Sequence, residues 1–165
     1  MNTLVVKPRI DSRSGENRVR SRIGLEADAV DVDASVNLLD LVADVCERQP
    51  IHCVLVDEAQ FLSADQVDQL TEVVDALDIP VLAYGLRTDF LGMLFEGSRQ
   101  LLALSDELRE IKTVCHCGRK ATMVVRFDEK GRPLRGGDQI QIGGNETYVS
   151  MCRLHFKASL ESTTP

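Results

Sequence analysis

Tryptophan is absent from this 165-residue chain, and two tyrosines and five phenylalanines bring the aromatics to only 4%. A core built with so few large rings must rest on Val, Leu, Ile and Ala, which suits an α/β layer fold with buried parallel strands. No apolar run approaches the roughly 20 residues that a membrane-spanning helix needs, and the first residues lack the apolar stretch of a signal peptide. A cytoplasmic location without a membrane partner is the expectation. Cysteine is scarce and odd in number: Cys46, Cys53, Cys115, Cys117 and Cys152. Five thiols cannot form a fully paired disulfide framework. Two of them sit in apolar segments, and in a reducing compartment the other three look like metal ligands. Internal repeats and low-complexity tracts are also missing.

With 44% hydrophobic and 27% charged residues the composition is that of a globular protein. The net charge of −7 is unevenly spread. Residues 1–111 carry 10 basic and 21 acidic side chains, whereas residues 112–165 carry 9 and 5. Such a shift predicts two structural units.

Along the first, "TLVVKP" (residues 3–8) predicts a strand running into a polar, mobile loop over 9–24. Leu38, Leu39, Val42, Val45 and Cys46 recur at helical spacing and predict a helix over 35–48, with Ser35 placed to cap it. "IHCVLV" is the next strand, and "SADQ" (residues 63–66) is a capping-box pattern ahead of the stripe Val67, Leu70, Val74 and Leu77. "IPVLAYG" follows as a strand, then a helix over roughly 97–110 with Leu101, Leu102, Leu104 and Leu108. Strand, helix, strand, helix, strand implies parallel strands whose carboxyl ends gather the functional groups. Beyond Lys112 the runs "KTVC", "ATMVVRF" and "IQIGG" are divided by Gly-rich turns. They predict a small antiparallel β unit with little core of its own, in need of a staple.

Two close pairs can supply that staple: Cys115 with Cys117, and Cys152 with His155. Four soft or borderline ligands on two turns are what a tetrahedral Zn²⁺ needs, and a closed four-ligand site is structural rather than catalytic. The first pair is C-x-C rather than the common C-x₂₋₄-C, and His116 is a competing ligand. Ordinary buried cysteines beside a solvated histidine are the alternative.

In "IHCVLVDEAQF" an apolar strand ends in two carboxylates, Asp57 and Glu58. A strand of this form matches the Walker B arrangement of P-loop phosphotransferases, in which an Asp at the tip faces Mg²⁺ and a neighbouring carboxylate can act as general base. Side chains alternate faces along a strand, but at its tip the chain turns and both can reach one cleft. A strand-terminal carboxylate pair that merely solvates a loop is the competing reading.

Taken in order, "KPRIDSR", "SRIG", "VDEAQF", "YGLRTDF", C-x-C and "IGGNETYVSMCRLH" resemble the cytosolic, zinc-containing thymidine kinase family across essentially the whole chain. The resemblance implies a parallel sheet of P-loop NTPase type over 1–111 and a small zinc-bound antiparallel β (lasso) domain over 112–165. It implies transfer of the ATP γ-phosphoryl group to the 5′-hydroxyl of thymidine or deoxyuridine, a step of nucleotide salvage for DNA synthesis. Glu58 would be the catalytic base, and Asp57, Glu58, Ala59 and Gln60 would form the ATP and Mg²⁺ environment. An unperturbed glutamate is a weak base, so positioning and electrostatics should supply most of the rate. Residues 141–148, with Ile142, Gly143, Gly144 and the lasso tyrosine Tyr148, would close over the nucleoside, and Phe90 would stack on its base. Lys7, Asp11 and Arg13 match the family's K-P-x-x-D-x-R segment beside the nucleotide site. Zinc would be structural, Mg²⁺ would arrive with ATP, and the family is commonly tetrameric, so a homo-oligomer is expected.

One departure is large. The family's P-loop, G-x-x-x-x-G-K-[ST], with the strand and helix around it, is not among these residues: "GSRQLLALS" and "GGDQIQIGG" lack the Lys-Ser/Thr ending. The expectation is a truncated nucleotide-binding domain whose remaining strands expose an apolar edge. A short, inactive nucleoside-binding zinc protein is the alternative. Nucleic-acid binding by the basic second unit is a weaker option, because that unit has no clustered Lys/Arg with interleaved aromatics.

Overall fold

Leu4 and Val6 of β1 (Thr3–Pro8) are buried, and this run, with a strand on each side, is the second strand of a four-stranded parallel sheet. The computed structural model describes residues 1–9, 17–21, 23–139 and 147–161. Strand β1 pairs with β4 (Val30–Val32) on one side and with β5 (Cys53–Val56) on the other, and β5 pairs with β6 (Val81–Ala83). The order is β4-β1-β5-β6, all parallel. The chain divides into two compact units: residues 1–87 with 95–106, and residues 88–94 with 107–165.

In the first unit the main core cluster is built from aliphatic side chains. Val6, Val32, Val54 and Val56 of the sheet bury with Leu38 and Val42 of α1 (Leu38–Cys46) and Val67, Leu70 and Val73 of α2 (Ala64–Leu77). Ser63 and Gln66 form the expected capping box. Helix α1 starts three residues later than expected, and Asn37 caps it, its side chain accepting from the Asp40 N–H. Ser35 instead hydrogen-bonds the Asp33 carboxylate through both N–H and hydroxyl. Two glutamines of α2 set the α1 start: Gln69 accepts from the Leu38 N–H, and Gln66 donates to the Asp33 and Val36 carbonyls.

Three further differences have local causes. The basic segment expected as a loop forms a hairpin, β2 (Arg18–Arg20) with β3 (Glu26–Asp28), because Arg18 and Arg20 both pair with Glu26 across it and Gly24 takes a positive φ of 86° at its turn. Strand β4 was not expected from its alternating charges; its valines pair with β1, and Lys7 lies opposite Asp31. Helix α3 (Glu96–Leu104) ends six residues before the expected 110: Ser105 is extended and its hydroxyl bonds the Leu101 carbonyl. Leu108 is consequently exposed. Strand β6 lies at one edge of the sheet with Leu82 and Tyr84 exposed.

The second unit is built on an antiparallel pair, β9 (Met123–Phe127) and β10 (Thr147–Met151), beside the short pair β7 (Thr113–Val114) and β8 (Lys120–Ala121). It also contains an unexpected helix, α4 (Arg153–Glu161), which packs on β9 and β10. Phe156 of α4 completes a small core with Cys115, Ala121, Val125, Met151 and Cys152. The segment "IQIGG" lies outside the described residues.

Candidate active site and metal centre

At the tip of β5 the chain turns sharply. The Asp57 N–H still donates to Val6 of β1, but Glu58 adopts a left-handed conformation with φ 51° and opens a 3₁₀ turn over Ala59–Phe61. A non-glycine residue held there costs on the order of 1–3 kcal/mol, a strain that concentrates at functional sites. Asp57 is exposed and its Oδ1 accepts from the Glu58 N–H at 3.0 Å. Glu58 is half-buried, and Ala59 and Gln60 are buried.

Gln60 holds this turn together. Its Nε2 donates to Glu58 Oε2 at 2.5 Å, and its Oε1 accepts from the Leu86 N–H at 3.0 Å. The Ala59 N–H donates to the Tyr84 carbonyl, so the turn is sewn to the end of β6 at two points. Two glycines make room. A Cβ on Gly85 would stand 2.5 Å from Gln60 Oε1, and one on Gly97 of α3 would stand 2.6 Å from the Ala59 carbonyl and 2.8 Å from that of Leu62. Next to Gly97, Ser98 donates its hydroxyl to the Leu86 carbonyl at 2.6 Å. Sequence reasoning takes Gly85 only as the end of the "IPVLAYG" strand and does not single out Gly97 or Ser98. The only trace of them is "YG" ahead of the 86–90 segment and a small-residue pair opening α3.

Lys7 is 2% exposed and faces Asp31 across the strand pair at 3.5 Å. Asp31 Oδ1 has no hydrogen-bond partner inside ordinary limits, so that ion pair is its compensation; Oδ2 accepts from the Asn17 N–H. Asp11 and Arg13 lie outside the described residues, as do Ile142, Gly143 and Gly144.

In the second unit Phe90 is 2% exposed and Tyr148 is half-exposed. Asp89 shapes the turn that carries Phe90: its Oδ1 accepts from the Leu91 and Met93 N–H groups and its Oδ2 from Gln139 Nε2. Between the two rings lies Arg126, whose guanidinium carbon is 5.0 Å from the Phe90 centroid and 6.0 Å from that of Tyr148. Asp89 and Arg126 were also missed. In sequence, Arg126 is one charge inside the β-prone "ATMVVRF".

The two predicted ligand pairs converge. Cys115 and Cys117 lie on the tight turn between β7 and β8, where the Gly118 N–H returns to the Cys115 carbonyl and Gly118 takes φ 82°. Cys152 directly follows β10 and His155 lies in the first turn of α4, the i, i+3 spacing that puts both on one side. His155 Nδ1 stands 3.4 Å from Cys115 Sγ and 3.5 Å from Cys152 Sγ, and Cys117 Sγ is 3.9 Å from Cys152 Sγ. All four ligand atoms lie within 4.8 Å of one another, and the cluster could hold a metal ion. Around a tetrahedral zinc, with Zn–S about 2.3 Å and Zn–N about 2.0 Å, neighbouring ligand atoms are roughly 3.3–3.8 Å apart, so the donor set and spacing fit that ion. The Cys117 N–H lowers the Cys115 thiol to about 5, which favours the thiolate a metal requires. His116 stacks on the His155 ring at 4.2 Å and is not one of the four.

A family model for thymidine kinases matches residues 1–156. A thymidine kinase of Rhodopirellula baltica is 61% identical over 160 residues, covering 97% of this chain and 76% of the relative. One of Vibrio cholerae is 59% identical over 160 residues, with 97% and 83% covered. One of Yersinia pseudotuberculosis is 54% identical over 162 residues, with 98% and 83% covered. Matches of this extent lend no support to a separate, inactive zinc protein. On the family match and these relatives, the chain belongs to the thymidine kinase family.

Proposed function

We propose that the protein transfers the γ-phosphoryl group of ATP to the 5′-hydroxyl of thymidine or deoxyuridine, giving the nucleoside monophosphate and ADP. The observation that carries this reading is the Asp57-Glu58 pair at the β5 tip, with Glu58 gripped by the buried Gln60. Glu58 is the general base: as the 5′-oxygen bonds to the γ-phosphorus and the bond to ADP breaks, the hydroxyl proton passes to its carboxylate. Gln60 keeps that carboxylate pointed by donating to Oε2, a geometric contribution rather than a change in basicity. Asp57 is exposed beside it and suits the Mg²⁺ that accompanies ATP, an ion that neutralises phosphate charge. Ala59 and Gln60, buried under this turn, hold the carboxylates against the sheet.

Phe90 and Tyr148 supply aromatic surface to the base, and Ile142, Gly143, Gly144, Asp11 and Arg13 complete the substrate contacts in the same reading. The Cys115, Cys117, Cys152 and His155 cluster holds a structural zinc that pins the lasso domain, in a reducing, cytoplasmic setting. The first unit then corresponds to the nucleotide-binding domain of P-loop type. No G-x-x-x-x-G-K-[ST] occurs in these 165 residues, so none of them is assigned the cradling of the β- and γ-phosphates. Assembly into a homo-oligomer belongs to the same reading and is tested by light scattering. Among the described residues no helix is long and apolar enough to cross a membrane.

The deciding experiment is thymidine monophosphate formation by the protein as its gene encodes it, with and without Glu58→Gln. Loss of the base should lower kcat by about 10²–10⁴-fold with thymidine affinity retained. A fully active Glu58→Gln enzyme would remove Glu58 from the mechanism.

A further inference from the structure

Strand β9 presents two faces with different occupants. Met123, Val125 and Phe127 point into the small core of the second unit, and Val149 and Met151 meet them from β10. Side chains alternate along a strand, so Arg126 lies on the other face, where its cross-strand partner is Tyr148. That face needs no cation to form the core. Yet Arg126 is 2% exposed and is the largest fully buried side chain among the described residues.

Burying a guanidinium carries a desolvation penalty of several kcal/mol, and well-packed apolar residues commonly serve stability better in such places. The surroundings here include groups that answer that penalty. The Asp138 carbonyl accepts from Arg126 Nη1 at 3.4 Å, and the Phe90 and Tyr148 rings both lie within cation–π reach. The planar guanidinium takes one face of Phe90 and sits beside the half-exposed Tyr148 ring. Phe90 and Tyr148 therefore share Arg126, and Tyr148 is the more exposed of the two rings.

We propose that Arg126 is a positioning residue of the nucleoside site, one that fixes the Tyr148 ring against Phe90 so that a pyrimidine base meets a preset aromatic surface. The proposal rests on the thymidine kinase reading above. It makes base recognition depend on a cation that touches neither phosphate nor the reacting hydroxyl, so the effect belongs to nucleoside affinity and not to the chemical step. Arginine is required for its plane as well as its charge, because a lysine ammonium cannot stack between two rings in the same way.

The sequence offers a direct probe. Tyr84 and Tyr148 are the two tyrosines of these 165 residues and there is no tryptophan among them, so Tyr84→Phe leaves Tyr148 as their single tyrosine emitter. In that background Arg126→Met and Arg126→Lys are compared with the parent, with three readouts: Tyr148 quenching by iodide without nucleoside, KM for thymidine and for ATP, and kcat. Expected for Arg126→Met are stronger quenching, a thymidine KM raised about tenfold, and kcat and the ATP KM within about threefold, on the scale of one desolvated cation–π contact. Arg126→Lys should fall between, and it carries the test if Arg126→Met does not fold. Unchanged quenching with an unchanged thymidine KM would overturn the proposal. So would a loss of kcat and melting temperature together at constant KM, the mark of a purely structural role. If the parent does not phosphorylate thymidine, the proposed function fails, while quenching in the free protein still decides whether Arg126 holds Tyr148.

Discussion

Gln60 Nε2 donates to Glu58 Oε2 at 2.5 Å while its Oε1 accepts from the Leu86 N–H, so one buried amide joins the carboxylate at the β5 tip to the chain beyond β6. Both residues are in "VDEAQF", two positions apart. The bond depends on the left-handed backbone of Glu58 and on the missing Cβ of Gly85.

Replacing that amide separates orientation from acidity. Gln60→Leu fills a similar volume but leaves the Leu86 N–H unpaired and removes the Gln60 hydrogen bond to Glu58, at about 1–3 kcal/mol of stability. Kinetically, kcat should fall by up to about 10²-fold, the scale of a small misplacement of a reacting group, with the ATP KM little changed. Steady-state kinetics and thermal melting on the same preparation check both parts.

Gly97→Ala should be costly and Gly136→Ala should not. A methyl at 97 meets the Ala59, Leu62 and Gln60 carbonyls at 2.6 to 3.0 Å, all of them backbone that cannot rotate aside, whereas one at 136 meets nothing within 4 Å. The expected difference is about 1–3 kcal/mol against less than about 0.5. Urea midpoints of the two variants, read side by side, give it.

The Lys7–Asp31 pair is buried on both sides, with side chains 3% and 8% exposed. Removing one partner, as in Asp31→Leu, takes the facing carboxylate from a buried ammonium and should cost about 3–5 kcal/mol. Adding Lys7→Met to Asp31→Leu should recover much of that loss. A double-mutant cycle in chemical denaturation makes the comparison.

Metal removal should act on substrate before chemistry. A strong chelator, or Cys152→Ala, should lower the melting temperature of the second unit and raise the thymidine KM ahead of any fall in kcat. Acid should do the same. The Cys115 thiol lies at about 5 in the fold against 9.0 for the free group, lowered first by the Cys117 N–H. A depressed value means that the thiolate's contribution is full above the free value and is lost as pH falls through the folded one. Metal released per chain, followed with a colorimetric indicator, should rise as pH drops toward 5.

The strands at residues 3–8, 53–56 and 81–83, the capping box of α2 and the convergence of Cys115, Cys117, Cys152 and His155 were legible because each is a local pattern. Apolar runs, a Ser-x-x-Gln cap and paired ligands two or three residues apart bring their own geometry. The hairpin over 18–28, strand β4 and helix α4 were missed because cross-strand ion pairs, a neighbouring strand and a single buried Phe156 stabilise them, and none of these has a period.

The sequence by itself determined the chemistry available: two carboxylates ending an apolar strand, three thiols with an imidazole, and a core of valine and leucine with almost no rings. Tertiary structure alone decided how those groups are held. Gln60 reaches a backbone N–H 26 residues away, the absent Cβ atoms of Gly85 and Gly97 admit the turn beside Glu58, and Arg126 is buried between two rings that lie far from it in the chain. The physical reason is that burial and orientation are set by atoms distant in sequence, whose approach depends on the packed fold and leaves no repeat in the order of residues.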